Sequence, residues 1–110
     1  MTPAFGLYTT ANDLSLLARF MLGFRGEDVL SDSMRSQMLS AHASGWGLGI
    51  KIDRFKGRPV ARHSGWFAAH KSHLLLDLRS QVAVVVMANA DSAVPATIAE
   101  SLISSTLGLK

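Results

Sequence analysis

The chain has no cysteine, one tyrosine and three prolines, and charged residues make up only 17% of its 110 positions. Without cysteine there is no disulfide, no thiolate nucleophile and no thiolate zinc site, and the redox compartment stays open. No apolar run approaches the roughly 18 residues of a membrane span, so none is expected. The opening residues, MTPAFGLYTT, lack the basic start and apolar stretch of a secretory leader, so no signal peptide is expected in this chain.

What is present is an apolar-leaning globular mix, 48% hydrophobic, which argues against disorder. The length suits one domain or part of one, able to bury roughly 65% of its unfolded surface. A mean hydropathy of +0.23 fits either a complete small core or apolar surface meant for absent partner segments. The net charge is +3, and its densest cluster is Arg54, Lys56, Arg58 and Arg62, interrupted by Gly57 and Pro59. Such a cluster reads as a solvated turn, and no nucleic-acid partner is expected.

Residues Thr10 to Leu22 read as a helix capped by Thr10, with Asp13 three residues on and Gly23 as the stop. Leu14, Leu17, Ala18, Met21 and Leu22 repeat at helical spacing and predict one buried stripe. A shorter helix is expected from Asp32 to Ser40, capped by Ser31, with Met34 and Met38 on one face. From Ser44 to Ile52 the period changes to two: Trp46, Leu48, Ile50 and Ile52 alternate with Gly47, Gly49 and Lys51. That predicts a strand with one buried face and a bare face suited to close backbone approach. A turn at Phe55-Lys56-Gly57-Arg58 leads to a strand from Pro59 to His63. Strands follow at Ser72 to Leu78 and at Val82 to Ala88, joined by Arg79-Ser80-Gln81. The last strand is apolar on both faces and is expected to be central. Val94 to Leu107 closes the chain as a helix with Pro95 in its first turn, Gly108 at its end, and a stripe of Val94, Ile98, Leu102, Ile103 and Leu107.

Between the second and third strands stands His63-Ser64-Gly65, followed by Trp66. The tripeptide, the closing strands and helix, the run GLYTTANDL, and the passage VLSDSMRSQML followed by GWGLGIKI occur in one order. In that order they resemble the C-terminal portion of serine β-lactamase-like hydrolases, the family of class C β-lactamases, penicillin-binding proteins and related esterases. That family carries Lys-Thr-Gly or His-Ser-Gly as its third motif and has a GLYSTANDLARF run. The resemblance covers nearly the whole chain. It implies that His63 and Ser64 act in catalysis, His63 as electrostatic support or proton relay and Ser64 as a hydrogen-bonding group for substrate. A histidine titrates near neutrality and suits either role. Gly65 would let the acyl group approach, and the Trp66 N–H would hold the oxyanion. A bacterial periplasmic or cytoplasmic location is implied only by this resemblance. Read from residue type alone, the alternative for His63 is a structural histidine in a polar groove, and Trp66 and Phe67 either line a cleft or fill core.

The family's nucleophile is the serine of Ser-x-x-Lys. Here the residues three before Lys51, Lys56, Lys71 and Lys110 are Leu48, Asp53, Ala68 and Leu107, so no such serine exists. Tyr-x-Asn is missing too, since Tyr8 is followed by Thr9 and Thr10. Ser64 is not expected to be a nucleophile served by His63, because neighbours on a strand face opposite ways. For the same reason His70 and His73 do not converge with His63 on a metal, and no metal or other cofactor is expected.

The expected fold is α+β: an antiparallel meander of about four strands covered by the C-terminal helix, with the two N-terminal helices at its edge, in a single partial domain over 1–110. The expected function is that of the C-terminal part of a serine hydrolase acting on β-lactams, esters or D-amino-acid peptides. Alone it would be inactive, and its small acyl substrate would bind only once an N-terminal half is present. The alternative is a non-catalytic remnant serving binding or assembly. An uncovered sheet edge predicts self-association.

Overall fold

A computed structural model describes residues 7–24 and 29–110. The order is α1 (Ala11–Met21), α2 (Asp32–Met38), β1 (Lys51–Phe55), β2 (Arg58–Phe67), β3 (His70–Asp77), β4 (Val82–Ala88) and α3 (Pro95–Leu107). The four strands form an antiparallel meander in the order β1-β2-β3-β4. This is the α+β class expected from the sequence.

The helices start and stop where their caps dictate. The Thr10 hydroxyl accepts the Asp13 N–H at 3.1 Å, and the Ser31 hydroxyl accepts the Met34 N–H at 3.2 Å. Each bond satisfies a first-turn N–H that has no intrahelical partner. Pro95 opens α3 at a position where its missing N–H costs nothing, and Gly108 closes it in the left-handed region.

Strand alternation sorts the core into two faces. Ala61, Leu74 and Leu76 point to one side, where they pack with Ala18, Met21 and Leu22 at the end of α1 and with Ile50. Val60 and Leu75 point to the other and pack with Ala99 and Ile103 of α3. The run Leu74-Leu75-Leu76 is therefore buried throughout, its residues feeding alternate cores. The sheet is a middle layer. The expectation that both N-terminal helices sit at the sheet edge is corrected for α1, which covers the face opposite α3.

Two further expectations change. The strand proposed from Ser44 to Ile52 begins only at Lys51. Residues 43–50 instead form a folded loop tied by the Gly47 N–H to the Ile50 carbonyl and by the Ile52 N–H to the Gly45 carbonyl, both at 2.8 Å. Ile50 is buried, whereas Trp46 and Leu48 are exposed. The expected close approach is real at Gly47, where a Cβ would lie 2.2 Å from the Met38 carbonyl oxygen. Second, β4 is an edge strand. Its two-sided apolarity reflects helices on both faces, which a lateral position does not require.

One buried ion pair fixes how the two hairpins meet. Asp77, 2% exposed, ends β3 and receives the Arg58 guanidinium from the start of β2 through Nε and Nη2. Its carboxylate also accepts the N–H groups of Arg79 and Ser80 and the Ser80 hydroxyl, closing the β3–β4 turn. Burial pushes the Asp77 pKa up, but the bonds from Arg58 and Ser80 outweigh it and hold the value at about 2. Because the folded value lies below the unfolded one, this stabilisation is present above about pH 4. It is lost as pH falls through about 2. Asp77→Asn should destabilise the fold at pH 7, because Arg58 loses its anion and the β3–β4 turn loses its carboxylate acceptor. Urea unfolding of both forms at pH 7 and in acid should show the gap shrinking as pH falls; a gap that does not change with pH would contradict this assignment.

Candidate functional site

His63, Ser64, Gly65 and Trp66 all lie within β2, which runs four residues further than expected, to Phe67. The extension depends on a two-residue turn, Ala68-Ala69, with both residues at positive φ (50° and 65°). That conformation suits a tight hairpin but carries none of the usual Asn or Gly signature. The turn sets the β2–β3 register, with Phe67 opposite His70, Gly65 opposite Ser72, Ser64 opposite His73 and His63 opposite Leu74.

The same register leaves one side of the segment open. β1 reaches only as far as Lys51, which pairs with Arg62, so β1 does not flank residues 63–67. Antiparallel hydrogen bonding alternates along a strand. Counting from the tight turns at either end of β2, residues 59, 61, 63, 65 and 67 turn their N–H and C=O toward β3. The bond from the Leu78 N–H to the Pro59 carbonyl fits that phase. Ser64 and Trp66 accordingly turn their backbone groups to the side that β1 leaves uncovered.

The side chains divide between the two faces. The exposed His63 faces the α1 side, its ring edge-on to Trp46 with centroids 6.0 Å apart. Ser64 faces the α3 side, where its hydroxyl lies 2.7 Å from Nδ1 of His73. His73 is 3% exposed. Burial lowers its pKa, and the nearby charges of Arg62 and His63 act in the same direction, with Glu100 opposing them. Arg62 is itself held to Glu100 of α3 at 2.9 Å. Trp66 also leans to the α3 side and is 69% exposed, so it does not fill core. Its indole N–H donates to Asp91 at 3.1 Å. Lys71 stands 5.1 Å from the Trp66 ring and donates to the Ala93 carbonyl at 3.3 Å. These contacts bind the β4–α3 loop to the end of the hairpin. Phe67 is exposed as well.

A serine hydroxyl beside an imidazole is the geometry of a nucleophile and its base. Here the base is poorly placed to gain a proton: it is buried, lies near Arg62, and has no hydrogen-bond partner at Nε2 among the described residues. His70 lies opposite Phe67, its Nδ1 2.9 Å from the Ala68 carbonyl, away from Ser64 and His73. Among the described residues no three metal-ligating side chains come together.

Sequence reading missed His73, Trp46, Lys71 and Asp91. Counting from a turn at 68–69 would place His73 opposite Ser64, but no residue type there marks that turn.

At Gly65 the facing strand leaves little room for a side chain. A Cβ there would meet the Ser72 hydroxyl oxygen at 2.6 Å but stand 3.9 Å from the Ser72 Cβ.

Comparison with protein-family models gave no match, and neither did comparison with curated proteins. Among solved structures the chain is similar to the octameric penicillin-binding protein homologue from Pyrococcus abyssi. The TM-score is 0.83 at 20% identity, over 93% of this chain and 25% of that one. The chain thus has a penicillin-binding-protein-like fold and spans about a quarter of that neighbour's length.

Gly65→Ala should destabilise the protein by ~1–3 kcal/mol through overpacking. Ser72→Ala in the same chain should recover most of that loss, and a double-mutant cycle by urea unfolding measures the coupling. Additive costs would show that Ser72 is not what Gly65 spares.

Proposed function

We propose that this chain forms the C-terminal wall of the acyl-transfer site of a penicillin-binding-protein-like serine hydrolase, with His63, Ser64, Gly65 and Trp66 as that wall. The observation carrying this reading is the open side of β2. The Trp66 N–H faces a side that no strand among the described residues fills, beside the exposed His63 and within a fold shared with a penicillin-binding protein homologue. A backbone donor fixed by a sheet costs no reorganisation when an oxyanion develops, the condition for electrostatic stabilisation of acyl transfer.

In the proposed reaction a serine from a preceding Ser-x-x-Lys segment attacks the acyl carbonyl of a β-lactam, ester or D-amino-acid peptide, its proton passing to that motif's lysine and on to the leaving group. The carbonyl oxygen becomes an oxyanion that accepts the Trp66 N–H. Collapse expels the amine or alkoxide leaving group, and water then releases the acyl group. Gly65, lacking a side chain, lets the acyl group lie against the strand. His63 supplies positive potential or relays a proton on the α1 side. These 110 residues hold neither Ser-x-x-Lys nor Tyr-x-Asn, so by themselves they should not turn over substrate.

A second reading, assembly, draws on Val94, Ile98 and Leu102, which are exposed apolar residues along α3. With the open strand side, they favour self-association of the isolated chain. Sedimentation over a hundredfold concentration range should show association, and a monodisperse monomer that unfolds cooperatively would refute it.

Backbone replacement tests the catalytic reading directly. Because the Trp66 N–H is not used in the β2–β3 ladder, proline fits there without breaking the sheet. In a gene product that also carries Ser-x-x-Lys and Tyr-x-Asn, Trp66→Pro should slow acylation by a labelled penicillin about 10²–10³-fold. Trp66→Ala should remain within about tenfold of the parent, since it keeps the N–H. Equal rates for the two variants, with circular dichroism confirming that both fold, would remove Trp66 from the oxyanion site.

A further inference from the structure

We infer that His73 is a positioning residue that holds the Nδ1–H tautomer, donates to the Ser64 oxygen, and so turns the Ser64 hydroxyl proton outward as a hydrogen-bond donor for a ligand.

The inference starts from the two nitrogens of one buried ring. Nδ1 lies 2.7 Å from the Ser64 Oγ, while Nε2 is buried with no partner among the described residues. A neutral imidazole has one N–H and one lone pair, and it must place one on each nitrogen. If Nε2 carried the proton, an N–H would be buried without an acceptor, the arrangement that folded proteins most avoid. If Nδ1 carries it, the N–H is satisfied by Ser64 and only a lone pair stays unused. The surroundings of the ring support the neutral form. Arg62 and His63 on β2 disfavour a proton on it, Glu100 of α3 favours one but is already bonded to Arg62, and the facing β4 residue is the apolar Val86.

The choice of tautomer matters because a serine hydroxyl has a single proton. Accepting from His73 uses a lone pair on Oγ and leaves the O–H free. Ser64 is exposed on the strand that borders the open side, so that proton is available to an acceptor from solvent. The ligand class is therefore one that presents an anionic or carbonyl oxygen, with a carboxylate as the strongest case. The consequence for substrate rests on the acyl-transfer reading above, whereas the tautomer stands independently of it.

Long-range ¹H–¹⁵N correlation on the imidazoles of the ¹⁵N-labelled protein at pH 7.5 reads the tautomer directly. The His73 Nδ1 should resonate as a protonated nitrogen and Nε2 as a bare one, and Ser64→Ala should shift the Nδ1 signal. A protonated Nε2 with a bare Nδ1, or a doubly protonated ring, overturns the inference whether or not the protein turns anything over. Activity gives a second readout in the product carrying Ser-x-x-Lys. His73→Leu should raise KM for a carboxylate-bearing substrate about tenfold, with kcat and a neutral ester little changed. His73→Asn, whose amide can donate from a similar position, should restore most of the loss. Equal loss in the Leu and Asn variants would overturn the donor role. Absence of turnover in the parent would defeat the acyl-transfer reading, and the nitrogen shifts would still decide the tautomer.

Discussion

The Asp77 carboxylate is the constraint on which the geometry of the site depends. It sits at one end of the sheet, binding Arg58 from the start of β2 and closing the turn that leads from β3 to β4. A buried carboxylate is tolerable only when its lone pairs are filled, and this one is filled by groups from two different hairpins. Together with the Ala68-Ala69 turn at the other end, the bonds therefore fix which residue of β2 stands beside which residue of β3. A strand slipped by one position would send every side chain to the opposite face. With Val60 held opposite Asp77, counting along β2 brings Ser64 opposite His73 and Gly65 opposite Ser72 at the far end. The register at the functional end is thus anchored about four pairs away, where no ligand would compete for the anchoring groups.

The sheet's burial follows from the same register. Alternate residues of β2 and β3 feed two cores, one under α1 and one under α3, and both cores thin toward the His63–Phe67 end. There the side chains are polar or exposed and the strand loses its β1 neighbour. A segment supported by a packed sheet on one side and left open on the other combines rigidity with access. Both are needed for a backbone donor to act on a bound group.

Much of this was legible in the sequence, and the parts that were not have identifiable physical causes. Thr10, Ser31, Pro95 and Gly108 announced the helix ends because capping is local chemistry. Val82 to Ala88 is apolar on both faces because α1 and α3 cover it on both sides, as expected, but that pattern does not distinguish a central strand from a lateral one, so β4 read as central when it is lateral. The Ala68-Ala69 turn was invisible because alanine carries no turn signal. Tertiary context forces it to positive φ, and with the turn hidden the Ser64–His73 pair was hidden too. The motif residues themselves were picked out, but by resemblance to a family. Their separation onto two faces of β2 followed from strand periodicity and is found as expected.

The last helix shows most plainly how a long-range contact overrides a local pattern. By hydrophobicity Ile98 and Leu102 should face the sheet, yet Ala99 and Ile103 are buried there and Ile98 and Leu102 are exposed. The buried face is the row Pro95, Ala99 and Ile103, and Glu100 lies beside it. Glu100 reaches Arg62 on β2, so its side of the helix faces that strand. Residues two positions away lie about 200° around the helix, which carries Ile98 and Leu102 outward. The small Ala99 then lets α3 sit close above Val60 and Leu75. Arg62 is also among the charges that lower the pKa of His73, so the ion pair beside α3 borders the imidazole that contacts Ser64. Packing on the α3 face and the surroundings of the imidazole thus share one ion pair, Arg62 with Glu100.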